Sequence, residues 1–115
     1  MPVVIIYGVP ADTSAEELGK LTSCTQLMVG CTEGLGIEPR DVSVIFPTSM
    51  VGKHSSGEII VFVCGLYEKS QRTPEILHEV AYRVGYRIKN YYFKDSLVEV
   101  LIQPVDPRVC WSSKD

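Results

Sequence analysis

The chain contains one pattern twice. Pro2 matches Glu58, and Val42, Val44 and Phe46 match Val98, Val100 and Ile102, at a constant offset of 56. Each copy reads as strand, helix, strand, and this order restricts the fold sharply. A helix between two strands of one sheet makes those strands parallel, through a right-handed crossover. Two such units predict an α/β protein (α+β by some schemes), with a four-stranded mixed sheet and both helices on one face. The whole chain, residues 1–115, is expected to be a single domain, with pseudo-repeats over about 2–52 and 58–107.

The elements follow from local pattern. PVVIIYGV (2–9) and EIIVFVCGL (58–66) are short, apolar and β-branched, which marks buried strands. Ser14 and Glu17 stand at capping-box spacing, and Leu18, Leu21, Thr25, Met28 and Val29 recur at helical intervals. A helix is therefore expected over about 14–33, stopped by Gly34 and Gly36. VSVIF (42–46) is the second strand, ended by Pro47. Thr73 followed by Pro74 marks a second helix start, with an inward stripe of Ile76, Leu77, Val80, Ala81, Val84 and Ile88. LVEVLI (97–102) is the fourth strand, with Pro104 as its expected end.

Two helices can cover only one face of such a sheet. A solvated second face would show polar alternation, yet both long strands are apolar on both sides. The uncovered face is therefore expected to be buried by other subunits. A ferredoxin-like fold shares the same element string, but it joins its middle strands by a short hairpin. Residues 47–57, PTSMVGKHSSG, are long for that and better suit a connection between separate units.

Composition narrows the function classes. Net charge −3 and a pI near 5.3 argue against a general nucleic-acid binder. No apolar run approaches the ~20 residues of a membrane span, and no secretory signal is evident, so the expected location is cytoplasmic. Cys24, Cys31, Cys64 and Cys110 form no CxxC pair, and His54 and His78 lack zinc-type spacing to them. No metal site is expected, and the cysteines read as buried thiols.

Proline is tolerated at the first position of a strand. If Met1 is removed, however, Pro2 becomes a chain terminus with a secondary amine. A terminal proline, a doubled βαβ unit and this length together resemble the tautomerase superfamily. That group includes 4-oxalocrotonate tautomerase, built on one βαβ unit, and macrophage migration inhibitory factor, a fused pair that assembles as a trimer. EPRDVSVIF (38–46) looks like the family's second strand, and QRTPEIL (71–77) is similar to the Arg-Ser-x-Glu helix start of the oxalocrotonate group. CGLYEKSQRT (64–73) resembles a dehalogenase-branch loop that offers two basic residues to a carboxylate.

The resemblance implies a cofactor-independent isomerase with Pro2 as general base, acting on a small keto/enol or unsaturated carboxylic acid, in a homotrimer. Burial disfavours the charged form of an amine and brings its pKa toward neutrality, where a general base works best. Arg72, at the start of the second helix, is the candidate for the substrate carboxylate, which a guanidinium can grip with two parallel bonds. Lys69 would add a second positive charge. The departures are Asp12, where the family's first-loop arginine would stand, and Ser43, where the oxalocrotonate group has a strand arginine. Glu99 and Gln103 replace the tyrosine and asparagine of the inhibitory-factor branch. They favour the alternative, a non-catalytic small-molecule-binding or assembly module on the same scaffold.

Overall fold

The computed structural model describes residues 2–47, 58–111 and 113. Its elements are β1 (Val3–Tyr7), α1 (Ala15–Gly30), a 3-10 turn (Pro39–Asp41), β2 (Ser43–Ile45), β3 (Glu58–Tyr67), α2 (Pro74–Tyr91), β4 (Leu97–Val105) and a second 3-10 turn (Pro107–Val109). The strands form one sheet in the order β2-β1-β3-β4. β1 runs parallel to β2 and β3 parallel to β4, while β1 and β3 are antiparallel at the centre. The doubled unit is therefore present, its halves joined along an antiparallel seam. The ferredoxin-like alternative is dismissed, because β2 pairs with β1 rather than with β3. The middle connection lies outside the described residues, apart from Pro47.

Both helices start on side-chain caps. Ser14 Oγ accepts from the Glu17 amide at 3.1 Å, and Thr73 Oγ1 accepts from the Ile76 amide at 3.3 Å. Each cap satisfies one of the amides that the first helical turn leaves without a partner. Leu21, Thr25 and Val29 of α1 and Val80, Val84 and Ile88 of α2 turn inward. They meet Val4 and Ile6 of β1 and Ile59, Val61 and Val63 of β3 in one core cluster. Both repeats supply that cluster, so neither can bury its own apolar stripe alone. A truncation such as Ile6→Ala would cost about 2–5 kcal/mol, the range for cavity-forming core changes.

Three boundaries differ from expectation. β1 stops at Tyr7 because Gly8 takes a left-handed conformation (φ 95°), in which strand pairing ends. α1 ends at Gly30 rather than near residue 33, and the Cys31 amide donates to the Leu27 carbonyl as its cap. Cys31 is exposed for that reason. None of the four thiols is fully buried: Cys24 and Cys64 are half-buried, Cys31 and Cys110 exposed, and all are unpaired. Pro104 does not end β4. The ladder slips between Cys64 and Leu66, with Gly65 at φ 84° forming a bulge, and Pro104 falls opposite Leu66. A proline without an amide is accommodated at a bulge on an edge strand, and β4 continues to Val105.

The sheet's second face is largely apolar, with Ser43, Glu58, Glu99 and Gln103 as polar members, and among the described residues no helix covers it. By strand alternation Val3, Ile5 and Tyr7, Ile60 and Phe62, Ile45, and Leu97 and Leu101 point away from the core. Ile45 is 47% exposed and Leu97 69%. The Tyr7 and Phe62 rings meet edge-on across the seam, with centroids 5.8 Å apart. Among the described residues no helix is long and apolar enough to cross a membrane.

Candidate functional site

Strand order decides what surrounds Pro2. The antiparallel register pairs Val3 with Cys64, so one step earlier Pro2 lies level with the Gly65 bulge. The parallel register pairs Val3 with Ser43, and the Ser43 amide donates to the Pro2 carbonyl at 3.1 Å. One corner of the sheet thus gathers the start of β1, the start of β2 and the end of β3. Pro2 is buried there. A cleft of about 300 Å³ opens at this corner, lined by Pro2, Ile37, Asp41, Gly65, Leu66, Tyr67 and Arg72. Its volume is at the low end for ligand pockets, suited to a small molecule.

Arg72 reaches the cleft from the loop between β3 and α2, one residue before the Thr73 cap. Its guanidinium is held rather than loose. Nε donates to the Leu35 carbonyl at 3.0 Å, and Nη1 donates to the Tyr67 carbonyl at 2.9 Å. A guanidinium has five N–H donors. These two bonds leave Nη2 and the second Nη1 hydrogen uncommitted among the described residues. With Nε occupied, a carboxylate has the end-on side of the fork to approach.

Lys69 is not among the residues lining the Pro2 cleft. It lines a separate cavity of about 80 Å³ with Leu66, Tyr67, Glu68, Leu77 and Pro104, and Arg72 borders both spaces. Pro2 and Arg72 are thus brought together, and Lys69 stands in the adjoining space.

Asp41 is the group that sequence reading missed. It closes the 3-10 turn before β2, where its Oδ2 accepts from the Glu38 amide at 3.1 Å. In EPRD that pattern reads as turn chemistry, and only the pairing of β1 with β2 carries the carboxylate to Pro2. Among the described residues Asp41 makes no ion pair, and its neighbour Arg40 is taken by Glu38 at 2.8 Å. The cleft therefore holds one cation and one carboxylate that do not neutralise each other. Asp12 and Ser43, which stand where family arginines would, are exposed. Trp111 is 86% exposed. Among the described residues no three His, Cys, Asp or Glu side chains cluster as metal ligands would.

No protein-family model matches the sequence, and no curated protein matches it. Solved structures do match the fold. One is a fused 4-OT wild-type asymmetric trimer, with 14% identity over 98% of this chain and 94% of that one, at a TM-score of 0.71. A domain of unknown function from Sebaldella termitidis shares 15% identity over 98% and 96% of the two chains, at a TM-score of 0.70. A macrophage migration inhibitory factor-like protein from Entamoeba histolytica shares 11% over 97% and 95%, at a TM-score of 0.66.

Proposed function

We propose that this chain, which has the fold of the tautomerase superfamily, is a divergent member that works as a tautomerase-like isomerase. One observation carries the reading. Pro2 and Arg72, at opposite ends of the two repeats' first strands, line one small cleft. Once Met1 is removed, the Pro2 amine acts as general base on a small keto/enol or unsaturated carboxylic acid whose carboxylate Arg72 holds. The amine takes a proton from carbon beside a carbonyl and returns it to another atom of the same conjugated system. No proton is gained or lost overall, so the reaction asks for no cofactor. Burial of Pro2 and the Arg72 cation both favour the neutral amine, while Asp41 opposes them.

Self-association belongs to the same reading. The helix-free face exposes Ile45, Leu97 and Leu101, an apolar surface of the kind that marks an interface. Three of the matching fused proteins are described as trimers, and a homotrimer is the assembly we propose for this chain.

Intact mass of the purified protein tests the first condition, and the expected mass lacks Met1. Turnover of phenylenolpyruvate and 2-hydroxydienoates by wild type and Pro2→Ala tests the second. The substitution keeps an amine but changes its basicity and rigidity, so kcat/KM should fall about a hundredfold, within the span of general-base contributions. Turnover untouched by the change would overturn the proposal. One observation favours the second reading, a non-catalytic binding or assembly module: Arg72 already serves two backbone carbonyls.

A further inference from the structure

We propose that Asp41 sets the substrate class of the Pro2 cleft: short monocarboxylates with a hydrogen-bond donor at the end away from the carboxylate, to the exclusion of dicarboxylates. The proposal rests on the reading of Arg72 as the carboxylate holder. Its basis is the charge arrangement within one cleft of about 300 Å³. The Arg72 guanidinium is fixed by the Leu35 and Tyr67 carbonyls, with Nη2 left to a ligand. Asp41 is fixed as well, because turning away would break its bond from the Glu38 amide. Its Oδ1 has no hydrogen-bond partner among the described residues, and no ion pair joins it to Arg72.

Two opposite charges that line one small space without forming an ion pair polarise it between a cationic end at Arg72 and an anionic end at Asp41. A ligand carboxylate satisfies the cationic end. At the other end an ionised carboxylate only accepts hydrogen bonds, so the complementary group is a donor such as a hydroxyl, an enol or a carbonyl hydrate. A second carboxylate would face Asp41 as a like charge, a strong means of rejecting a wrong partner. Lys69 lines the adjoining cavity rather than this one. Asp41 is a specificity residue in this scheme, and the scheme assigns it no proton transfer.

The test uses three four-carbon probes on the full chain: 4-hydroxybutanoate, butanoate and succinate. Binding is followed by calorimetry or by amide NMR shifts, neither of which depends on turnover. Wild type should bind 4-hydroxybutanoate at least about tenfold more tightly than succinate, as like-charge exclusion requires. Asp41→Asn removes the charge while its amide oxygen can still cap the turn, and it should bring the two affinities to within about threefold. Asp41→Gln, which at the third helical position can also reach back to the cap amide, is the second variant should the first disturb folding by circular dichroism.

Arg72→Ala should weaken every probe. Succinate binding wild type as tightly as 4-hydroxybutanoate, and through Arg72, would overturn the specificity proposal and leave the carboxylate site standing. Probes that fail to bind wild type, or that bind Arg72→Ala unchanged, would overturn the carboxylate site and the specificity proposal together.

Discussion

Arg72 Nε donates to the Leu35 carbonyl at 3.0 Å, a bond that ties the start of the second helix to the loop following the first. Leu35 is 1% exposed, so its carbonyl sits in a nearly dry position. Removing the guanidinium leaves that acceptor, and the Tyr67 carbonyl, without this donor. Arg72→Ala should therefore lower stability by about 1–3 kcal/mol, the cost of stranding a buried polar group. Arg72→Lys keeps the charge but not the fixed fork and should recover only part of the loss. Urea unfolding measures both, and an unchanged midpoint for Arg72→Ala would show that these bonds contribute nothing.

Two glycines of α1 should respond in opposite directions. Gly19 lies within the helix with nothing near the position of an added methyl, so Gly19→Ala should stabilise by about 0.5–1 kcal/mol. A methyl on Gly30 would run into Pro39 of the turn before β2. Gly30→Ala should destabilise by about 1–3 kcal/mol through overpacking. Thermal melts of the two variants side by side would show the contrast, and shifts of the same sign would refute it.

Ile45 and Leu101 are 47% and 39% exposed on the helix-free face. A charge at such positions costs the isolated chain little but opposes burial against another copy. The double change Ile45→Glu, Leu101→Glu should move the sedimentation coefficient from that of an oligomer to that of a monomer, with the circular dichroism spectrum retained. A wild-type protein that sediments as a monomer at micromolar concentration would count against self-association.

Burial raises the Tyr92 hydroxyl above its ordinary pKa, and the nearby Cys24 thiol adds to the shift. The folded state thus favours the protonated phenol. Its contribution is complete below the unfolded value of about 10 and is lost as pH rises through the higher folded value. Tyr92→Phe should flatten this alkaline loss of stability. At neutral pH the change should be small, since the hydroxyl's bond to the Lys20 carbonyl is long, at 3.4 Å. Stability curves of the two proteins that run parallel between pH 9 and 11 would exclude Tyr92 as the cause.

The doubled unit was legible because β-branched runs and helical stripes depend on neighbours a few residues away, and the offset of 56 repeats them. Pro2 and Arg72 stood out through the resemblance to a family with a terminal proline and a basic helix start. Asp41 did not, because its proximity to Pro2 comes from the pairing of β1 with β2, a long-range relation. The full length of β4 is hidden from the sequence for a related reason. Pro104 looks like a stop until the Gly65 bulge on the neighbouring strand makes room for it. Lys69 and Arg72 share one small cavity, and of the two only Arg72 also lines the Pro2 cleft.

The antiparallel seam between β1 and β3 has a consequence for stoichiometry. Antiparallel halves are related by an approximate dyad, and the dyad carries the Pro2 corner onto the opposite corner, where β3 begins. There the repeat places Glu58 at the position equivalent to Pro2, and its loop carries Asp12 rather than an arginine. A scaffold with two geometrically equivalent corners thus places Pro2 and Arg72 at one of them and acidic residues at the other. Joining the halves in a single chain is what allows this inequality, since two identical separate chains would have to share every residue. Saturation should accordingly come at one ligand per chain, half of what the symmetry of the backbone alone would suggest.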